Sequence, residues 1–105
     1  MMKSTQVVKA LSALAQPTRL AVFRLLVVRG VDGMAAGQIA DKLKVSPANL
    51  SFHVKTLTHA GLISQRQDGR FIYYAANFTA MNAMLTYLTE NCCAGIACEL
   101  ENKPC

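Results

Sequence analysis

The stretch VSPANLSFHVKTLTHAGLI at residues 45–63 is the part of the sequence around which the chain is organised. Leu50, Val54 and Leu57 recur at helical spacing and predict one buried stripe along a single helix. Ser46 is a good N-cap with a proline directly after it, and a glycine follows the last turn. The sequence therefore predicts a helix with clear boundaries at both ends.

The outward face of this helix carries small polar and apolar groups. A helix that needed only to be soluble would place charged residues on that face. Here a single lysine supplies the charge, so the face is suited to contact with another molecule. The residues that point away from the apolar stripe are Ala48, Asn49, Ser51, Phe52 and Lys55.

Three further helices are predicted before it. The first covers residues 5–15, the second begins at Pro17 and ends at Gly30, and the third covers residues 38–43 after a loop over residues 31–37. A short helix, a tight turn and a longer helix form a helix-turn-helix. The residues expected to face the core are Val7, Leu11, Leu14, Leu20, Phe23, Val27, Ile39 and Leu43.

After the long helix the hydrophobic period changes from helical to alternating. LISQRQ and RFIYYA flank Asp68-Gly69, a pair that predicts a β-hairpin with a two-residue type I′ turn. A hairpin directly after a helix-turn-helix is a wing. Arg66 and Arg70 flank its tip and are positioned to reach sugar-phosphate or the minor groove; the alternative is that they are solvated charges of the turn.

The last predicted helix, FTAMNAMLTYLTEN, begins directly after the hairpin. Its wide apolar stripe predicts a dimer seam, with a ligand-binding face as the alternative. The stripe consists of Phe78, Met81, Met84, Leu85 and Leu88.

Composition predicts one globular domain with a subunit partner and a polyanionic ligand. Hydrophobic residues make up 52% of the 105 residues and charged residues 16%, so part of the apolar surface is expected to meet another subunit. Residues 1–89 hold ten Lys and Arg against three Asp and Glu, whereas residues 90–105 have a net charge of −2. A basic body fits a polyanion, although a solvated basic surface is the alternative.

The N-terminus has no signal-peptide pattern, and the longest apolar segment, residues 20–28, is too short to span a membrane. We therefore expect a cytoplasmic protein whose four cysteines are reduced thiols.

Three motifs occur in order: LAQPTRLAVFRLL at residues 14–26, SPANLSFHVKTLTHAGLI at 46–63 and QRQDGRFIYY at 65–74. Together they resemble the ArsR/SmtB family of winged helix-turn-helix transcriptional repressors. The resemblance implies a mainly α fold of four helices, a two-stranded wing and a fifth helix. It also implies a homodimer, formed through the first and last helices, that binds operator DNA without ligand and leaves it when a metal or metalloid binds.

The resemblance implies a set of DNA contacts. Asn49 and Ser51 match positions that commonly face the groove, and Lys55 is expected at phosphate. Ala48 and Phe52 occupy positions where the family more often has polar residues, so they are expected at thymine methyls. The full set is Ser46, Pro47, Ala48, Asn49, Ser51, Phe52, His53, Lys55, Arg66 and Arg70.

The two histidines do not indicate an enzyme. His53 and His59 lie on one helix without a partnered carboxylate, so no catalytic site is expected. His53 matches a frequent family histidine on the flank of the apolar stripe; it is either structural or a DNA contact, and His59 is expected to be exposed.

The cysteines must supply the sensor. Residues 34–43 contain no Cys or His, and residues 77–89 contain no His, Asp or Glu, so two metal sites known in the family are missing. The cysteines are instead confined to a tail, residues 91–105, that follows a predicted DNA-binding and dimerisation domain over residues 1–90. Its cysteines are Cys92, Cys93, Cys98 and Cys105.

Adjacent cysteines on a helix project about 100° apart, so Cys92 and Cys93 can share one ion with Cys98 only if the backbone bends. Gly95 permits that bend. Three thiolates make a soft site that suits As(III) or Sb(III), and the tail resembles that of an arsenic-responsive branch of the family.

Other interpretations stay open. Cys105 could complete a four-thiolate site for Zn, Cd or Pb, and vicinal thiols could instead sense oxidation. The chain could also be a cytosolic metalloid-binding thiol protein that does not bind DNA, or use its winged helix for protein contact. The operator sequence, the form of trivalent arsenic and an intra-chain or inter-chain site are left undecided.

Overall fold

The computed structural model describes residues 2–95. Within them the chain forms a mainly helical winged helix-turn-helix, which confirms the predicted fold class. The elements are α1 (Ser4–Leu14), α2 (Pro17–Arg29), β1 (Met34–Ala35), α3 (Ala36–Leu43), α4 (Pro47–His59), β2 (Ile63–Asp68), β3 (Phe71–Ala76), α5 (Phe78–Thr89) and a 3₁₀ turn (Cys92–Gly95).

Helix α4 begins and ends where the sequence predicts. The Ser46 side chain accepts a hydrogen bond from the backbone N–H of Asn49 at 3.2 Å, which satisfies one of the unpaired donors of the first turn. Gly61 has φ +79° and takes the chain out of the helix. The predicted inner stripe is confirmed, because Leu50, Val54 and Leu57 are all buried.

The inner faces of α1 and α2 agree with the prediction only in part, because Val7 and Phe23 are buried as expected but two leucines are not. Leu11 and Leu20, expected in the core, are exposed. Small alanines on α1 allow close packing against α2 and α4, which turns the larger leucines outward. The buried residues of the two helices are Val7, Ala10, Ala13, Val22, Phe23 and Leu26.

Helices α1 and α2 meet at a bend of 103°. By length and apolar composition alone this bent pair could cross a membrane, whereas no single helix among residues 2–95 could.

The segment predicted as a loop over residues 31–37 contains strand β1 and the start of α3. Met34 pairs with Tyr74 and Ala35 with Tyr73, so β3 lies between β1 and β2 in an antiparallel sheet. Two residues are too few to show an alternating pattern, which is why the sequence does not predict this strand. Gly33, directly before it, has φ +74°, and a Cβ there would overlap the carbonyl oxygen of Tyr74.

The wing is a hairpin, as predicted, but its turn is shifted by one residue. Asp68 pairs with Phe71, so the central residues are Gly69 and Arg70 rather than Asp68 and Gly69. Gly69 has φ +65° and Arg70 does not have a positive φ. Positive φ at the first central residue alone fits a type II′ turn, so the predicted type I′ turn is wrong.

Helix α5 is tied to the end of α4. Asn77 caps α5 by accepting from the backbone N–H of Ala80 at 3.1 Å, and its side-chain amide donates to the carbonyl of Gly61 at 3.1 Å. Of the predicted stripe Met84 is buried, Phe78 and Met81 are half-buried, and Leu85 and Leu88 are exposed in the single chain.

Gly33 lies so close to β3 that a side chain there is expected to destabilise the fold. We expect Gly33→Ala to lower the free energy of unfolding by about 1–3 kcal/mol, because the new side chain would have to adopt a positive φ and its Cβ would overlap the backbone of β3. Gly37→Ala is the matched control, since nothing lies within 4 Å of a Cβ at that position. Urea unfolding followed by circular dichroism measures both; equal stabilities of the two variants would contradict the assignment.

Candidate nucleic-acid interface

The outward face of α4 is continuous and lacks acidic residues. Phe52 is the largest side chain on it and is 63% exposed. Since the opposite stripe is buried, the two faces of the helix are clearly separated. The predicted contact residues that are exposed here are Ser46, Pro47, Ala48, Asn49, Ser51, Phe52 and Lys55.

The wing lies beside the N-terminal half of α4. Pro47, Ser51 and Ile72 line one cleft of about 210 Å³ between α3, α4 and β3. Tyr74 lines the same cleft, and burial raises the pKa of its hydroxyl. Helix α4 and strand β3 of the wing therefore line a common cleft.

The two wing arginines differ in their surroundings. Arg66 donates from Nη2 to the carbonyl of Asp32 at 3.1 Å, and its guanidinium lies 4.7 Å from the ring centroid of Tyr73. Its Nη1 is 3.9 Å from an oxygen of Asp68, in a pair whose side chains are both largely exposed. Arg70 lies in the turn, is exposed, and makes no hydrogen bond or ion pair within residues 2–95.

His53 lies on the flank of the buried stripe and is half-buried. Its Nδ1 is 3.4 Å from Nη1 of Arg19, and its ring packs edge to face on Phe52 with centroids 5.4 Å apart. Sequence reasoning missed Arg19, because it lies 34 residues from His53 and its position in α2 resembles that of any solvated cation. His59 is exposed, as expected.

The described cysteines follow α5 directly. Cys92 is half-buried and Cys93 is exposed. The backbone has positive φ at Asn91, Cys93 and Ala94, so the bend expected at Gly95 already begins at Asn91.

Cys98 and Cys105 lie outside the described residues. Among residues 2–95 no three His, Cys, Asp or Glu side chains are close enough to hold a metal ion.

Comparison with known proteins agrees with this arrangement. The profile of the family described as "Helix-turn-helix domain" matches residues 14–66, which include α2, α3 and α4. The transcriptional repressor SdpR of Bacillus subtilis (strain 168) is 37% identical over 82 residues, which cover 74% of this chain and 88% of SdpR.

Two solved structures share the fold. HlyU from Vibrio cholerae N16961 is 28% identical with a TM-score of 0.68, and the match covers 89% of this chain and 99% of HlyU. A structure described as a "Possible transcriptional regulator for arsenical resistance" is 32% identical with a TM-score of 0.66, over 79% of this chain and 82% of that one. The chain belongs to the ArsR-type helix-turn-helix transcriptional regulators.

In this ArsR-type regulator the different surroundings of the two wing arginines predict different effects on the salt dependence of DNA affinity. The slope of log affinity for DNA against log salt concentration is negative. We expect Arg70→Ala to make it shallower, by about 0.9 for each phosphate that the arginine neutralises. Arg66→Ala removes the same charge and serves as the matched control. Its effect on the slope should be smaller, because its guanidinium is already held by Asp32 and Asp68.

Fluorescence anisotropy on duplex DNA at four salt concentrations measures both slopes. A larger change for Arg66→Ala than for Arg70→Ala would contradict this description of the wing.

Proposed function

We propose that this chain is a cytoplasmic, homodimeric repressor that binds operator DNA and is released by As(III) or Sb(III). The observation that carries the DNA-binding part is the exposed, acid-free outer face of α4 beside the wing, on a domain whose residues 1–89 hold ten cationic and three acidic side chains. The proposed contact residues are Ser46, Pro47, Ala48, Asn49, Ser51, Phe52, His53, Lys55, Arg66 and Arg70.

Each part of this face suits one kind of DNA contact. Asn49 and Ser51 can hydrogen-bond to base edges, whereas Phe52 offers apolar surface to a thymine methyl. Lys55 and Arg70 are placed for phosphates, which set position rather than sequence preference. A two-fold symmetric dimer would place two α4 helices in major grooves about one helical turn apart.

The proposed dimer forms through α1 and α5. These helices contact each other and expose large apolar side chains, among them Val8, Leu11, Leu85 and Leu88. Because a chain of this size has a small core of its own, burial of this surface in a partner would add stability.

Charge on α5 tests the dimer. We expect Leu85→Glu combined with Leu88→Glu to give monomers, since a dimer would bury both leucines twice and each is worth roughly 1.5–3 kcal/mol when fully buried. Val28→Glu on α2 is the matched control, because Val28 is 84% exposed and lies on neither helix. Sedimentation equilibrium measures the mass; a double variant that stays dimeric would refute the proposed interface.

The proposed inducer site consists of Cys92, Cys93 and Cys98, with Cys105 as an accessory thiol. Three thiolates complete the bonding of trivalent arsenic or antimony, and no catalytic cofactor is involved. Cys92 and Cys93 lie within four residues of the end of α5. A change at the thiols would therefore act next to the proposed dimer helix. If arsenite weakens DNA binding by some factor, linkage requires that DNA weakens arsenite binding by that same factor.

The inducer is tested by anisotropy of the reduced protein on duplex DNA, titrated in parallel with arsenite, Sb(III), Zn(II) and Cd(II). We expect arsenite and Sb(III) to release the DNA, and Cys92→Ser, Cys93→Ser and Cys98→Ser each to abolish release without weakening DNA binding. Cys105→Ser is the control and should respond like the natural chain.

Release by a divalent metal or by an oxidant, with arsenite inert, would overturn the inducer and leave the DNA-binding function standing. Absence of DNA binding would overturn the whole proposal in favour of a thiol protein that does not act on DNA.

A further inference from the structure

The side chain of Arg19 connects three helices, α1, α2 and α4. Arg19 lies in the first turn of α2. Its Nε donates to the carbonyl oxygen of Ala13 in the last turn of α1, at 2.6 Å. Its Nη1 is 3.4 Å from Nδ1 of His53, halfway along α4.

The position of this guanidinium is determined by its neighbours. The side-chain oxygen of Gln16, the N-cap of α2, accepts from the backbone N–H of Arg19 at 2.8 Å, which orders the turn that carries it. The carbonyl of Ala13 belongs to the last four of α1, which have no partner inside the helix. A cation at this end of α1 is also favoured by the helix dipole. Arg19 therefore satisfies α1 and still directs a second donor toward α4.

His53 contacts both Arg19 and Phe52, which lies on the outer face of α4. Because a guanidinium only donates, this contact is a hydrogen bond when Nδ1 of His53 is the acceptor. The ring then meets Phe52 at an interplanar angle of 67°, an edge-to-face geometry that aromatic pairs prefer. Phe52 is 63% exposed, so few other contacts restrict its side chain.

We propose that Arg19 is a positioning residue for DNA recognition, acting through His53 to hold α4 and the exposed ring of Phe52 in the orientation that meets the groove. This inference rests on the proposed function, because it assumes that α4 is the helix that reads DNA. It assigns His53 the role of a bridge between Arg19 and Phe52.

Substitutions at His53 separate this role from simple packing. His53→Asn keeps an acceptor close to the place of Nδ1, whereas His53→Leu has a similar size and no acceptor. The probe is a duplex selected by the protein itself from a random pool. We expect His53→Leu and Arg19→Ala each to weaken binding about tenfold, roughly the value of a hydrogen bond to a charged group. We expect His53→Asn to weaken binding less than His53→Leu, because asparagine restores the acceptor for Arg19 but not the ring that packs on Phe52.

The double variant tests whether the two residues act together. We expect Arg19→Ala with His53→Leu to bind no more weakly than either single variant, because both remove the same interaction. The slope of log affinity against log salt should stay unchanged. Urea unfolding of every variant checks that affinity does not simply follow stability.

Several results would overturn the proposal. Losses of affinity that add up in the double variant would mean that the two side chains act separately. A salt slope that is shallower by about 0.9 in Arg19→Ala would mean that Arg19 touches phosphate itself. Equal losses of affinity for His53→Asn and His53→Leu would show that the acceptor is irrelevant.

Asn49→Ala distinguishes this failure from failure of the proposed function. If Asn49→Ala weakens binding while Arg19→Ala and His53→Leu do not, only the positioning role fails. If none of the three weakens binding, α4 is not the helix that reads DNA.

Discussion

Burial of Leu50, Val54 and Leu57 is the interaction on which the rest of the structure depends. Each such side chain contributes roughly 1.5–3 kcal/mol when fully buried, so the stripe fixes the rotation of α4 about its own axis. Once that rotation is fixed, the uncharged outer residues can only face outward. The core stripe and the proposed recognition surface are thus two consequences of one periodic pattern.

The remaining contacts hold the ends and the flank of this helix. Ser46 caps its start, and Asn77 joins the carbonyl of Gly61, just beyond its end, to the first turn of α5. Arg19 contacts its flank through His53. Because α5 and α4 are joined in this way, a change in the proposed cysteine site beside α5 has a short physical route to the proposed DNA-binding face.

The sequence predicts the elements whose signals are local. The N-cap and inner stripe of α4, and the change of period at the wing, depend on neighbouring residues and are confirmed. The predicted inner faces of α1 and α2 are wrong at Leu11 and Leu20, because the small Ala10 and Ala13 bury well only where two other helices approach closely. Strand β1 exists only through its pairing with β3, and the contact between Arg19 and His53 joins residues far apart in the chain; neither has a local signal.

We propose that the outer face of α4 and the turn of the wing together form the DNA-binding surface. Backbone amide chemical shifts of the isotope-labelled protein, recorded with and without a duplex that it selects from a random pool, test this most directly. If this surface binds DNA, we expect the largest changes at residues 46–55 and 69–71 and small changes along α2. Changes concentrated on α2, or spread evenly with none at residues 46–55, would contradict it.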